Sequence, residues 1–297
     1  MKSFLRRVAA AVGLSLLIGS APATARAPQP AKPALWAVTD ADTTIYLFGT
    51  IHLLPENVQW RTPRIDQAIA SSQQLVVETI VDDKDPTKIM SAMANLALNT
   101  PNLPPLAARV PPARRGALAQ AVKNSGFPPQ ALDRMETWAA AFILLSNKFR
   151  ELGLSGGVEG VLRNDFSASG KTVGELESNL EQLSFFDQLP ESAQRALLEG
   201  AIEENKAMNE DFSGMLKAWS RGDVKGIART FDRDLSSSPA LQQSLIRQRN
   251  ANWSKWIERR MTEPGAVMIA VGAGHLAGKD SVLELLKKGG YKIRRLQ

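Results

Sequence analysis

The 297-residue chain reads as an α/β protein: a central, mostly parallel sheet from N- and C-terminal strands, with a large helical insertion forming a cap or second lobe. Three observations predict this. Apolar, strand-like runs gather at the two ends of the chain. The stretch between them, about residues 85–262, is helical by composition and by recurring apolar spacing. The strands are short and nearly continuously apolar, the pattern of strands covered on both faces by helices.

Taken in order, "LWAVTD" and "TTIYLFGTIHL" are two strands joined by a tight turn at Asp40-Ala41-Asp42. Thr62-Pro63 starts a helix carried by "RIDQAIASS", because proline is tolerated in a first turn. "QQLVVETIV" is a third strand, interrupted by Glu78 near its C-terminal end. Pro and Gly at "TPNLPP", "RVPP" and "GFPP" then divide a run of helices. "GKTVGELES" is the one strand expected within it, and the Met-rich "IMSAMANLAL" is core filler or a flexible lid. A long helix through "LIRQRNANWSKWIERR" leads to the strand-loop "AVMIAVGAGHLAG", a short helix and a closing strand "YKIRRLQ".

The N-terminus carries Lys2, Arg6 and Arg7, an apolar run from Val8 to Ile18, and small residues fitting cleavage after Ala25 or Ala27. That is the pattern of a secretory signal peptide over residues 1–27, followed by a Pro/Ala linker over 28–34 and one domain over 35–297. The run is too short for a comfortable bilayer span, so no permanent membrane anchor is expected. The expected location is outside the cytoplasm, the periplasm in a Gram-negative cell. Removing residues 1–27 lowers the formal net charge from +6 to +2, leaving 32 basic against 30 acidic residues. Nucleic-acid binding is therefore not inferred from the basic balance. With no cysteine, thiol catalysis, disulfide frameworks and Cys-ligated zinc drop out.

The chain has only two histidines, and both follow an apolar run and a Gly-x-x-His: Gly49-Thr50-Ile51-His52 and Gly272-Ala273-Gly274-His275. Ligands in open α/β sheets gather at the carboxyl ends of strands. This reading puts His52, Glu78 and His275 there. Two imidazoles and a carboxylate are a common set for a catalytic divalent metal with open positions. Read singly, each histidine is a strand-end capping or core residue and Glu78 a solvated strand-end charge. Gly272-x-Gly274 with Ala277 also admits a dinucleotide turn, but the histidine would crowd a pyrophosphate and "YKIRRLQ" offers no acid for a ribose.

The opening "LWAVTDADTTIYLFGTIHLLP", the strand "QQLVVET", the middle "GGVEGVLRNDFSASGKTVGELESNLEQLSFF", the helix "LIRQRNANWSKWI" and the close "VGAGHLAGKDSVLELLKKGGYKIRRL" together resemble the TraB/GumN family. That family is similar to the TIKI membrane metalloproteases and to a wider fold group of erythromycin esterases and ChaN-like proteins. The resemblance covers roughly residues 34–297. It implies His52, Glu78 and His275 as ligands of a divalent ion (Zn, Mn or Co) in a hydrolase, foremost a peptidase, acting on a peptide or small-molecule substrate. The esterase relatives imply instead a metal-independent hydrolase using His and Glu. A non-enzymatic binding or regulatory protein is the third reading, although only Tyr46 and Tyr291 are present for tyrosine-based haem ligation. Arg249 is a candidate for neutralising an oxyanion or a substrate carboxylate, and read alone is a surface helix charge beside Arg247. Glu159 and Glu177 match signature acids, with helix capping or a loop salt bridge as the alternative. Asn250 and Trp253 lie within a turn of Arg249, Trp253 as packing.

Overall fold

The computed structural model describes residues 27–81, 87–98, 100, 102–151, 154–203, 205–235 and 239–297. The chain opens with β1 (Gln29–Pro30), β2 (Leu35–Thr39), β3 (Thr43–Thr50), β4 (Leu53–Leu54) and β5 (Val58–Gln59), then α1 (Pro63–Ser71) and β6 (Gln74–Val77). The helical section holds α2 (Thr87–Ala97), α3 (Arg115–Ser125), α4 (Pro129–Asp133) and α5 (Thr137–Glu151), then β7 (Ser155–Gly156) and α6 (Val158–Ala168). It continues through β8 (Thr172–Glu175), α7 (Asn179–Asp187), α8 (Glu191–Ala201), α9 (Asn205–Ser220) and α10 (Val224–Leu235). Next, α11 (Pro239–Gln242), a π-helical turn at Gln243–Gln248 and α12 (Arg249–Arg260) follow without a break. Finally β9 (Gly265–Gly272), a 3-10 turn (Ala273–Leu276), α13 (Val282–Lys288) and β10 (Ile293–Arg295) close the domain.

Six strands form the main sheet in the order β10-β2-β3-β9-β6-β8. The pairs β3–β9, β9–β6 and β6–β8 are parallel, and β2 and β10 add an antiparallel edge. This is the expected α/β class. The central strands read as apolar because both faces are covered. Along β9, Val267, Ile269 and Val271 join a core with Trp253, Ile257, Leu283 and Leu286 from α12 and α13, while Met268 and Ala270 join the larger core on the other face.

Local chemistry accounts for the connections. Asp40 closes the β2–β3 turn, its Oδ1 accepting from the N–H groups of Asp42 at 3.2 Å and Thr43 at 2.8 Å. Thr62 caps α1 and Pro63 occupies its first position.

Other segments differ from the sequence expectation. The stretch read as a linker is packed: β1 pairs with β5, Ala31 is buried, and the Lys32 N–H donates to the Ser220 carbonyl at 2.7 Å. Partners for its backbone groups hold it in place despite its prolines. The third strand stops at Val77, and the closing strand spans only Ile293–Arg295. In the Met-rich helix α2, Met93 is core, whereas Met90 is exposed and lines an apolar cavity of about 290 Å³ beside α5. The signal-peptide pattern lies outside the described residues, apart from Ala27. No described helix is long and apolar enough to cross a membrane.

Candidate functional site

The parallel register sets the C-terminal ends of β3, β9 and β6 side by side. Thr50 pairs with Gly272 and Val77 with Ala270, so His52, the 3-10 turn and Glu78 leave adjacent strands at one edge. Two close approaches fix the histidine loops. A Cβ at Gly157 would stand 2.2 Å from the His52 carbonyl oxygen, so only glycine lets the β7–α6 connection cross the His52 backbone. A Cβ at Gly274 would meet the Phe231 ring of α10 at 2.6 Å.

At this edge His52 Nε2 lies 3.6 Å and His275 Nε2 3.9 Å from the same atom, Glu78 Oε1. That oxygen also accepts the Gly272 N–H at 2.7 Å, while Glu78 Oε2 accepts from Arg249 Nη2 at 2.6 Å. Each imidazole is held from behind. His52 Nδ1 is 2.9 Å from Glu159 Oε1, which also accepts from the Thr50 hydroxyl. His275 Nδ1 is 2.6 Å from Asn250 Oδ1, and Asn250 Nδ2 donates to the Asp280 carbonyl at 2.7 Å. Asn250 thereby sets the proton of His275 on Nδ1 and leaves a lone pair on Nε2. That lone pair faces Arg249 Nη1 at 3.2 Å. Trp253 packs against both groups, 4.4 Å from the His275 ring and 4.7 Å from the Arg249 guanidinium carbon.

His52, Glu78, Arg249 and His275 are all buried, at 4%, 2%, 0% and 0% exposure, so their charges act through a weakly screening medium. Burial opposes charge on His52, but Glu159 and then Glu78 outweigh it and push its pKa up to about 10. Burial lowers His275 to about 3, the Arg249 and His52 cations adding to it against the pull of Glu78. Burial would also raise Glu78, yet Arg249, His275 and His52 together hold it well below the usual carboxylate range. Glu177 faces Arg249 and Gln182 but no histidine, and there burial wins, with the charge of Glu78 adding, so its pKa is raised.

The residue types suit a divalent ion once His52 gives up the proton that Glu159 and Glu78 hold on it. His52 Nε2 is a buried nitrogen with no hydrogen-bond partner, His275 Nε2 carries a lone pair, and a carboxylate oxygen stands between them. Two ligands of one ion, each about 2.1 Å from it, lie about 3.4 Å apart in tetrahedral geometry, slightly less than the 3.6 Å and 3.9 Å found here. The backing of each imidazole by Glu159 or Asn250 is the arrangement that orients metal-binding histidines. Among the described residues, however, no such group stands in ready ligand geometry. Two features stand in the way of an ion: Arg249 Nη1 faces the His275 lone pair, and His52 holds its proton.

Thus four residues named from the sequence, His52, Glu78, His275 and Arg249, meet at one sheet edge. Arg249 is not the surface charge it resembles when read alone. That description suits Arg247, which is partly exposed and pairs with Asp280 at 3.0 Å. Glu159 reaches the site through His52, and Glu177 through Arg249. The contributions of Thr50 and Gly157 were not read from the sequence. For Gly157, the Gly156-Gly157 pair before a helix was the available signal. Thr50 lies inside the Gly49-Thr50-Ile51-His52 motif, where no role was assigned to it.

The chain belongs to the TraB/PrgY/gumN family, whose profile matches residues 34–295. It is similar to the uncharacterized protein YbaP of Escherichia coli (strain K12), 24% identical over 257 residues, covering 86% of this chain and 92% of that protein. The same figures hold for the protein of that name from Shigella flexneri. No solved structure matches the chain.

Proposed function

We propose that this protein is an exported, divalent-metal-dependent hydrolase acting on peptides, with His52, Glu78 and His275 as the ion's ligands. One observation carries the reading: two imidazole Nε2 atoms face the same Glu78 oxygen, while a separate acceptor holds each Nδ1. An ion bound there would polarise a carbonyl and lower the pKa of a water molecule. Glu159 and Asn250 keep the two rings turned inward. Arg249 fixes Glu78 through Oε2 and supplies positive charge beside the developing oxyanion. With the site this buried, a peptide reaches it only when elements covering the sheet edge part, and the same burial keeps bulk water from the reacting groups. Export is supported by the pattern of residues 1–27.

The test is metal content by mass spectrometry on purified protein, beside His52→Ala and His275→Ala, with hydrolysis of a mixed peptide library before and after chelation. One ion per chain, absent from both folded variants, and cleavage that stops on chelation and returns with metal are expected. Wild-type protein that stays empty after incubation with Zn2+, Mn2+ and Co2+ would remove this reading.

A second reading rests on the opposed histidines. His52, protonated up to about pH 10, and His275, neutral down to about 3, form an acid and a base without any ion. Cleavage that survives exhaustive chelation would favour it.

A further inference from the structure

Arg249 is completely buried, and its guanidinium donors are engaged on every side. Nε donates to Glu177 at 3.0 Å and 3.1 Å, and Nη2 to Glu177 and to Glu78 Oε2. Nη1 donates to His275 Nε2 at 3.2 Å and reaches the Leu245 carbonyl at 3.5 Å. The residue opens α12 directly after the π-helical turn at Gln243–Gln248. Such turns are rare, and they recur where a helix re-aims a functional side chain.

Neutral His275 has a single lone pair, because Asn250 holds its proton on Nδ1. That lone pair either accepts from Arg249 or binds a cation, never both. Glu78 does not force the same choice, since Arg249 uses Oε2 and the histidines face Oε1. Losing His275 would cost Arg249 one hydrogen bond and leave it two-pronged on Glu177. Glu177 in turn has no histidine to serve: its polar partners are Arg249 and Gln182, the latter at 3.2 Å.

We propose that Arg249 is the resident cation of the metal-free site and Glu177 its receiver. Entry of a divalent ion displaces the guanidinium from His275 onto Glu177, so the Arg249–Glu177 pair sets how tightly the ion is held. This deepens the metal-dependent reading above and rests on it. The pair then has a signature that simple structural support lacks. Removing the receiver alone leaves Arg249 on His275 and Glu78, and weakens metal binding. Removing both members frees the lone pair and strengthens it.

The experiment is a Co2+ titration of the purified protein, followed by competition with a fluorescent chelator and by the visible absorption of bound Co2+. Wild type is compared with Glu177→Gln and with Arg249→Met/Glu177→Gln. The double variant is used because Arg249→Met alone would bury two carboxylates without their guanidinium, whereas the double variant leaves only Glu78, which still faces His52 and the Gly272 N–H. Arg247→Met controls for loss of a nearby charge. The expected result is a Co2+ dissociation constant raised at least tenfold by Glu177→Gln, lowered at least tenfold in the double variant, and within twofold of wild type in the control. Equal or weaker binding by the double variant would overturn the proposal, while binding by wild type would leave the metal-dependent reading standing. Absence of Co2+ binding in all four proteins, with circular dichroism showing them folded and with wild type equally empty after incubation with Zn2+ and Mn2+, would overturn both.

Discussion

The two Gly-x-x-His loops look alike in sequence and end in opposite chemical states. The loop after β3 delivers His52 to a carboxylate, Glu159, and the histidine holds its proton up to about pH 10. The loop after β9 delivers His275 to a neutral amide, Asn250, beside a guanidinium, and it stays neutral down to about pH 3. Burial is equal for practical purposes, so it does not separate them. What differs is the charge of the group behind each Nδ1 and the sign of the nearest charge in front. A matched motif therefore specifies where an imidazole goes, and the partners brought by α6 and α12 decide what it is.

The largest effect that tests this contrast is the pH dependence of stability. His52 titrates higher in the fold than its ordinary 6.5, so its contribution is complete below that pH and is lost as pH rises from 6.5 to about 10. His275 titrates lower, so its contribution is present above pH 6.5 and is lost as pH falls toward about 3. Urea unfolding of metal-free wild type, His52→Gln and His275→Gln between pH 4 and 10 should show two differences of opposite slope, each on the order of 4 kcal/mol at full extent. Parallel profiles for the two variants would end the contrast.

Next in size are the glycines beneath the loops. Gly157→Ala drives a methyl into the His52 backbone, which cannot turn aside, and should cost about 3 kcal/mol of unfolding free energy. Gly274→Ala meets a Phe231 side chain and should cost about 1–2 kcal/mol. Thermal and urea unfolding rank the two, and the reverse order would show that the His275 loop is the more tightly built.

The groups behind the rings come third. Asn250→Ala releases the His275 tautomer, and Glu159→Ala removes the anion that holds His52. Each should weaken Co2+ or Zn2+ binding by about 10- to 100-fold in chelator competition. They should differ in proton traffic: on the proposed metal-dependent reading, wild type is expected to release a proton from His52 as Zn2+ binds at pH 8, by calorimetry in two buffers, and Glu159→Ala to release less. The smallest effect is Thr50→Val, which deletes one hydroxyl donor to Glu159 and should cost about 1 kcal/mol in urea unfolding. No loss of stability would mean that His52 alone holds Glu159 in place.

Much of the frame was legible because it depends on short-range rules. The apolar runs of β3 and β9, the Asp40 turn and the Thr62-Pro63 helix start are set by residues within a few positions of one another. His52 and His275 stood out because the chain has no other histidine and both follow glycine. Glu78 showed as the single charge ending an apolar strand. Arg249 was harder to read, since a helix with Arg247 two residues earlier offers two equivalent charges. Only the π turn and the packing of α12 against the sheet through Trp253 and Ile257 turn one inward and leave the other at the surface. The Pro/Ala stretch after residue 27 was misleading for the same reason: its composition favours a linker, and its partners lie at Asn57, Gln59 and Ser220.

By itself, then, the sequence determined the class of fold, the strand ends that carry the two histidines and the glutamate, and the family. Those follow from local periodicity, from turn chemistry and from the rarity of a residue type. Tertiary structure alone decided that Glu159 and Asn250 back different histidines, that Arg249 rather than Arg247 is buried, and that its guanidinium rests on His275. Charge states in a buried cluster are fixed by distances of about 3–4 Å between residues as much as 197 positions apart, such as Glu78 and His275. No local pattern encodes such distances before the sheet has aligned its strand ends.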